Sequence, residues 1–295
     1  MTQTPDLHTH STASDGTLTP DALIRRAARA GVEVIALTDH DTTAGWAEAE
    51  AAAHELGIRL IAGVEISVSW RGRTLHILGL NLDPREPQLC AGLSELVDYR
   101  DWRAEEIGRR LAKQGIPGAY EGAKTFSNGR LIGRTHFARY LVAQGHARDL
   151  RDVFNRFLVS GKPGHVSGEW TSLESATRWI RGAGGRAVIA HPARYKLTRS
   201  RLLTLIGEFR ECGGVGLEVV SGSHGRDEVL TFGALTRELG LYASAGSDFH
   251  GPDNPWFDLG RLPALPAGCV PIWEHWHPPL AEDADRARTR RLARA

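Results

Sequence analysis

Two histidines one residue apart open the chain's chemistry, in Asp6-Leu7-His8-Thr9-His10, and Ser14-Asp15-Gly16 follows at once. Side chains at i and i+2 of an extended segment point the same way. Both imidazoles can therefore grip one ion from one face, with the Asp15 carboxylate close behind. The same residue types return in Thr38-Asp39-His40-Asp41, at Glu65, at His76, in His191-Pro192 and in Ser247-Asp248-Phe249-His250. The candidate metal ligands are thus His8, His10, Asp15, His40, Glu65, His76, His191, Asp248 and His250. Imidazole and carboxylate without thiolate suit zinc, manganese or iron. Nine donors exceed what one ion needs and could hold two or three, with a carboxylate such as Glu65 as a bridge. Clustered divalent ions can lower the pKa of a shared water to give hydroxide near neutral pH, and they can also clamp a phosphoryl group. Single members have commoner roles. His76 alone, between Leu75 and Ile77, reads as a hydrogen-bonded core residue, and His191-Pro192 alone as a strand-ending turn. Asp39 and Asp41 are set aside as helix-capping acids or as acids that orient His40.

The elements that must position these residues follow a regular grammar. Short apolar runs at Val34–Leu37, Leu60–Val64, Thr74–Gly79, Ala187–Ala190 and Leu241–Gly246 read as buried strands. Most of them end in a candidate ligand, and parallel α/β barrels gather their chemistry at the C-terminal ends of strands. Thr19-Pro20-Asp21 starts a helix that stops at Gly31, and Ala44–Leu56 forms the next one, closed by Gly57. Ile66–Trp70, Arg71-Gly72-Arg73 and Thr74–Leu80 read as a hairpin. Further helices are expected near Ser172–Gly182, Ser200–Cys212 and Asp227–Leu239, with a strand at Val215–Val220. Between residues 85 and 170 the pattern turns helical, with Leu89, Leu93, Leu96, Val97, Ile107 and Leu111 at helical spacing. Glycine-rich breaks follow at Gly115–Gly122 and Ser127–Gly133, then a helix around Thr135–Gln144. The expected class is α/β: a barrel formed by residues 1–84 and 171–280, an inserted helical subdomain at 85–170 that caps it, and a charged tail at 281–295.

Composition sets the outer bounds. The chain has 295 residues, 41% hydrophobic and 24% charged, and a formal net charge of +1, so no global field argues for coating a polyanion. No apolar stretch approaches a membrane span and no secretory signal is visible, so no membrane role is expected. Cys90, Cys212 and Cys269 stand far apart, as structural thiols of a reducing cytoplasm do.

The segments Asp6–Ser11, Thr38–Asp41, Gly63-Val64-Glu65-Ile66-Ser67, His191-Pro192 and Ser247–His250 resemble the PHP (polymerase and histidinol phosphatase) superfamily across nearly the whole chain. The resemblance implies a distorted seven-stranded β/α barrel and a trinuclear centre of manganese, iron or zinc ions, manganese being the expected occupant. It assigns His8, His10, Glu65 and Asp248 to one ion, Glu65, His76 and His191 to the second, and Asp15, His40 and His250 to the third. Ile132–Arg139 and Gly161-Lys162-Pro163-Gly164 are similar to the RNase AM/TrpH group. That group acts on nucleoside 3′,5′-bisphosphates and trims short 5′-phosphorylated RNA from its 5′ end. A bisphosphate needs a second anion pocket beside the metals. Arg134 offers a planar fork and Lys162 a point charge, with His136 and Arg194 as weaker candidates. The expected mechanism is in-line attack by a hydroxide bridging the ions, which Glu65 and Asp248 hold in place. The expected partner is a small nucleotide or an RNA 5′ end, with no membrane and no obligate protein partner. A histidinol-phosphate phosphatase is the rival activity, and it makes no demand for a second anion pocket. An amidohydrolase would want a bridging carbamylated lysine, and none of Lys113, Lys124, Lys162 and Lys196 ends a barrel strand. A non-catalytic metal-binding module would have little reason to keep the full ligand set.

Overall fold

A computed structural model describes residues 4–127, 131–252 and 258–276. The expected tail at 281–295, His277 and part of the Ser127–Gly133 break lie outside the described residues. Helix α1 (Pro20–Arg29) begins where expected, with the Thr19 hydroxyl accepting from the Ala22 amide and Pro20 at the first helical position. Strand β1 (Val34–Leu37), helix α2 (Trp46–Leu56), strand β2 (Arg59–Trp70) and strand β3 (Arg73–Leu80) follow. The second half of β2 pairs antiparallel with β3 in register, Ser67 opposite His76 and Trp70 opposite Arg73, which is the expected hairpin.

A long helix α3 (Pro87–Ala112) leaves the sheet. Its Leu89, Leu93 and Leu96 pack into the barrel's outer core. Ala104, Ile107 and Leu111, about two to four turns on, join a separate core with Phe137, Leu141, Val153 and Leu158. That second core is built with helices α4 (Ala119–Lys124), α5 (Arg134–Ala143) and α6 (Leu150–Val153). Helix α4 occupies part of the stretch expected to be a glycine-rich break. Gly118, at φ 73° in the left-handed region, turns the chain into it, so the glycine starts a helix instead of ending order.

The alternation then resumes with β4 (Thr171–Ser172), α7 (Leu173–Gly182), β5 (Arg186–Ile189), α8 (Arg199–Glu211), β6 (Gly216–Ser221), α9 (Arg226–Leu239), β7 (Tyr242–Gly246) and β8 (Val270–Pro271). The two-residue strands β4 and β8 are too short to leave a period in the sequence. The sheet runs β1-β2-β3-β5-β6-β7-β8, with β4 beside β2. Strand β3 is antiparallel to both neighbours while β5, β6, β7 and β8 are parallel, and this reversal distorts the α/β rhythm.

The N-terminal segment closes the curl. Asp6 N–H donates to Val34 O at 3.0 Å and Leu7 N–H to Ala245 O at 2.9 Å, so one stretch of chain ties β1 to β7. Asp248 N–H to His8 O and His10 N–H to Phe249 O, both 2.9 Å, continue the seam. The segment makes only isolated bridges, at Asp6 and Thr9, and not the continuous strand that His8 and His10 led one to expect. With it, seven staves surround the centre.

Alternation along the staves sorts residues between two surfaces. Ala62, Val64, Ile66 and Val68 of β2, Leu75 and Ile77 of β3, and Ala187 and Ile189 of β5 face the helices. Ala36, Ile61, Leu78, Leu80, Val188 and Ala190 pack with Leu7, Ile272 and Trp276 in a second cluster that plugs the inside. Glu65, His76 and Glu218 lie in phase with the inner set, further along the same staves. An apolar floor therefore underlies a polar mouth. Leu7 is wholly buried at the seam. Leu7→Ala is expected to cost about 2–5 kcal/mol in urea unfolding, the usual range for a buried leucine truncation, and a loss within experimental error would show that the seam does not bind the barrel shut.

Candidate metal centre

All nine candidate ligands meet at the mouth. His8 and His10 come from the seam, Asp15 from the loop after it, and His40 from the turn after β1. Glu65 and His76 lie diagonally across the hairpin, and His191, Asp248 and His250 follow the ends of β5 and β7. Glu65 is the pivot. Its Oε1 lies 2.8 Å from His76 Nδ1 and 2.8 Å from His191 Nε2. Its Oε2 lies 3.4 Å from His8 Nε2, 3.3 Å from His10 Nε2 and 2.9 Å from His40 Nδ1. Asp248 Oδ1 stands 3.5 Å from His8 Nε2 and 3.4 Å from His10 Nε2. Separations of 3.3–3.5 Å are those of donor atoms sharing one ion at about 2.0–2.2 Å. His250 Nε2 reaches Asp15 Oδ1 at 3.2 Å, and His40 Nε2 is 3.9 Å from that oxygen.

Four groupings can hold ions: His8 with His10 and Asp248; His8 with Glu65 and His191; His40 with Glu65 and His76; and His10, Asp15, His40 and His250 together. These overlap the expected three sets but share His8, His10 and His40 more widely. The donors also fit metal in another respect. His8 Nε2, His10 Nε2, Asp15 Oδ1 and Glu65 Oε2 are buried and make no hydrogen bond. Leaving a buried polar atom unpaired is costly, and several of them aimed at common points amount to a coordination sphere.

Charge tells the same story. Burial alone would raise the Glu65 carboxyl, yet His40, His76 and His8 around it hold it well below the ordinary range. Asp248 is likewise held well below it against burial, by His8, His10, His250 and Arg194. Burial drives the His10 imidazole down to about 3 and His76 to about 4. Against burial, the surrounding carboxylates instead raise His8, His40 and, to about 9, His250, and protons held there are ones that a divalent ion would displace on binding.

Residues behind the donors complete the site, and the sequence reading missed most of them. Glu218, wholly buried in β6, takes a hydrogen bond from His8 Nδ1 at 2.9 Å through Oε1 and from the His191 amide at 2.6 Å through Oε2. One carboxylate so turns His8 Nε2 toward the centre and holds the backbone of His191, which sits at φ 26°. A lone acid in the apolar run Leu217-Glu218-Val219 is the signal that marks it. Gly246 allows this closeness, since a Cβ there would lie 2.2 Å from His8 Cβ and 2.8 Å from Glu218 Oε1. Asp39 and Asp41 do not orient His40 as expected. Asp39 accepts from Ser11 N–H, Ser11 Oγ and Ser14 Oγ at 2.6–2.8 Å, fixing the loop that carries Asp15. Asp41 accepts from Ser67 N–H and Arg100 Nε, both at 2.6 Å. The helical part reaches the site as well, with Thr135 Oγ1 donating to Asp15 Oδ2 at 2.9 Å and Arg139 Nη2 to Asp15 O at 2.8 Å.

The donors open into a cavity of about 130 Å³ whose far wall is cationic, with Arg100, Arg103, Arg134 and Arg194 beside Phe154 and Trp170. Arg194 Nη1 donates to Asp248 Oδ2 at 2.8 Å. The Arg134 guanidinium, stacked over Phe154 at 5.7 Å, makes no ion pair among the described residues. Burial and the neighbouring Arg100 and Arg194 lower its pKa, so an anion would relieve it. Of the expected substrate residues, Arg134 and Arg194 line the cavity. His136 is buried and its Nδ1 accepts from the Gly133 amide at 2.9 Å, closing the first turn of α5. Lys162 is exposed in the turn before Gly164, away from the cavity wall. Arg100 and Arg103, one turn apart on α3, gave no sequence signal because arginines on a long helix are ordinary.

The PHP domain description matches residues 6–160. The chain is 49% identical over 281 residues (95% of it, 99% of the relative) to a 3′,5′-nucleoside bisphosphate phosphatase of Chromobacterium violaceum. It is 45% identical over 276 residues (93% of it, 94% of the relative) to the 5′-3′ exoribonuclease Rnm of Escherichia coli. Among solved structures, a Chromobacterium violaceum protein described as an amidohydrolase, with bound sulfate and no metal, superposes with a TM-score of 0.89 at 50% identity, covering 92% of this chain and 95% of the other. A Bifidobacterium adolescentis protein assigned as a metal-dependent phosphoesterase gives 0.78 at 28% identity, covering 92% and 94%.

Replacing Glu218 with Gln keeps the volume but removes the acceptor charge behind His8. Metal retained after dialysis is expected to fall, with affinity reduced about 10–100-fold, and wild-type retention by elemental analysis would refute the role given to Glu218. A second outcome concerns Thr135→Val, which deletes the hydroxyl on Asp15. It should lower the metal-to-protein ratio while Thr135→Ser restores it, and an unchanged ratio in the valine variant would remove Thr135 from the site.

Proposed function

The chain belongs to the PHP domain family, and on that premise we propose that it hydrolyses phosphate esters on the 3′ oxygen of 5′-phosphorylated nucleotides with the help of three divalent ions, manganese foremost. It is a metal-dependent phosphoesterase. The substrates are nucleoside 3′,5′-bisphosphates, cleaved to the nucleoside 5′-monophosphate and phosphate, and short 5′-phosphorylated RNA, shortened one nucleotide at a time from the 5′ end. The two activities are one reaction. A 3′-phosphate and a 3′-phosphodiester put the same phosphorus on the same ribose oxygen. The enzyme needs only to recognise the 5′-terminal nucleotide. Bound ions would supply a water ionised near neutral pH and a Lewis-acid clamp on the phosphoryl oxygens.

The chain's own residues do the rest. Glu65 Oε2 and Asp248 Oδ1, each 3.3–3.5 Å from the Nε2 atoms of His8 and His10, would hold an ion together with them. Arg194 braces Asp248 through one nitrogen and keeps its remaining donors toward the cavity. Arg134 and Arg194 receive the 5′-phosphate while the reacting phosphate sits at the donors. The observation that carries the reading is this cationic wall facing a metal mouth across a small cavity. Histidinol phosphate, whose second charged group is an ammonium, would be repelled by it. The amidohydrolase reading lacks its bridging lysine, for none of Lys113, Lys124, Lys162 and Lys196 lies on a strand. We place the reaction in the cytoplasm with a small nucleotide or an RNA 5′ end as the partner.

Turnover of adenosine 3′,5′-bisphosphate and of a singly phosphorylated aryl ester is the direct test. Arg134→Ala should cost kcat/KM on the bisphosphate about 10–100-fold, the worth of one charge-assisted bidentate contact, and leave the aryl ester nearly untouched. His8→Ala or Asp248→Ala should abolish both. Full activity of either variant with added manganese, or equal turnover of histidinol phosphate by the wild type, would overturn the proposal.

A further inference from the structure

The cationic wall does not end at the metal cavity. Arg103, Arg134 and Arg194, with Thr74 and Trp170, also line a second cavity of about 930 Å³ that runs outward along the β2–β3 hairpin. Arg71 and Arg73 at the hairpin turn form its outer side, and Glu169 is its only carboxylate. Arg71 is paired to Glu208 and Arg194 to Asp248, but Arg73, Arg103 and Arg134 make no ion pair among the described residues, a local excess in a chain with 36 basic and 35 acidic residues. Distance argues that a bisphosphate does not account for its outer end. The metal cavity is about 130 Å³ and already has two arginines for the second phosphate. Arg73 lies three residues before His76 on β3, roughly 10 Å along the strand at about 3.4 Å per residue, and Arg71 lies beyond it. These outer guanidinium groups are surplus to a mononucleotide.

Building on the reading of this site as a nucleotide hydrolase, we propose that the outer groove carries the sugar–phosphate backbone of RNA beyond its 5′-terminal nucleotide, with Arg71 and Arg73 as phosphate contacts. The hairpin turn is suited to this. Arg71, Gly72, Arg73 and Thr74 are exposed. Arg71 is ion-paired to Glu208 and lies over the Trp70 ring at 5.1 Å, and Arg73 Nη1 donates to Tyr195 O at 3.2 Å. Both arginines are therefore held in place and keep further donors for phosphate. The groove reads charge and not bases. Its aromatic members, Trp170 and Tyr195, are nearly buried, at 8% and 9% exposure, and Arg100 and Arg103 cover the Trp170 ring. With no open indole or phenol face, and only the half-buried His165 ring beside them, recognition rests on charge and is tolerant of sequence and sensitive to salt.

The test compares adenosine 3′,5′-bisphosphate with a 5′-phosphorylated oligoribonucleotide of six residues, for the wild type and for Arg71→Gln/Arg73→Gln. Metal content and bisphosphate turnover report that the variant is folded. The expected result is a loss of about tenfold or more in kcat/KM on the hexamer with bisphosphate turnover within about twofold, and a plot of log kcat/KM against log salt made shallower by about 1.4, two contacts at about 0.7 each. Equal effects on both substrates, no effect, or an unchanged salt slope would overturn the groove while leaving the proposed function standing. A wild type that hydrolyses the bisphosphate and no oligoribonucleotide removes the groove together with the RNA half of the reading. A wild type inactive on both, with metal bound, overturns the proposed function itself.

Discussion

One buried carboxylate governs this molecule. Glu65 has no exposed surface, yet five imidazoles surround it, two on one oxygen and three on the other. An ionised acid at that depth costs several kcal/mol unless positive charge meets it. His8 and His40, raised toward their charged forms by the carboxylates, supply part of that charge, and divalent ions bound at the same donors would supply it in their place. The requirement reaches outward. His8 must present Nε2, so Glu218 must hold Nδ1, so Gly246 must stay small enough for both. His191 and Asp248 both take φ in the left-handed region, at 26° and 55°, where non-glycine residues are uncommon. Backbone strain of this kind persists where the surroundings over-determine it, and here those surroundings are the donors' shared aim.

The barrel is the means by which distant residues satisfy that requirement. Pleated strands send alternate side chains to opposite faces, so each stave contributes apolar residues outward and a mixed set inward. The inward set is graded, with Leu78, Leu80, Val188 and Ile61 on the floor and Glu65, His76 and Glu218 toward the mouth. The reversed β3 matters for this grading. In a parallel stave the chain climbs from floor to mouth, as β2 does from Ile61 to Glu65. In β3 it descends from His76 at the mouth to Leu80 on the floor, so a ligand appears early in the strand instead of after its end. The dry floor excludes water beneath the centre and strengthens every electrostatic interaction above it.

Most of this was legible in the sequence because the relevant signals are local. His-x-His, an acid at the end of an apolar run, and Thr-Pro-Asp before a helix each report on geometry within a few residues. The nine donors and the elements that carry them could be named on those grounds. What stayed hidden depends on tertiary contact. The N-terminal segment reads as a strand, but it earns its place by bonding to β1 and β7 at once, which no local pattern encodes. Asp39 and Asp41 sit beside His40 in the chain and beside Ser11, Ser14, Ser67 and Arg100 in space. His136 has the chemistry of a phosphate ligand, and a helix end claims it first. Arg100 and Arg103 become part of an anion site only because Trp170, from the far end of the helical region, comes to lie under them.

The helical part is thus more than a cover. Helix α3 starts in the barrel's core at Leu89 and ends in the second core at Leu111, so the two cores are joined by one rigid rod. From the second core, α5 returns its first turn to the mouth. There Arg134 faces the cavity while its neighbour Thr135 grips the Asp15 carboxylate and Arg139 the Asp15 carbonyl. A phosphate drawn to Arg134 therefore pulls on the same turn that holds a metal ligand. By reciprocity, whatever free energy couples the phosphate to that ion must couple the ion to the phosphate equally. An insertion that contributes no imidazole donor of its own can in this way make a metal ion held at Asp15 and a phosphate held at Arg134 favour each other, which is a physical reason for the helical part and the centre to be built as one.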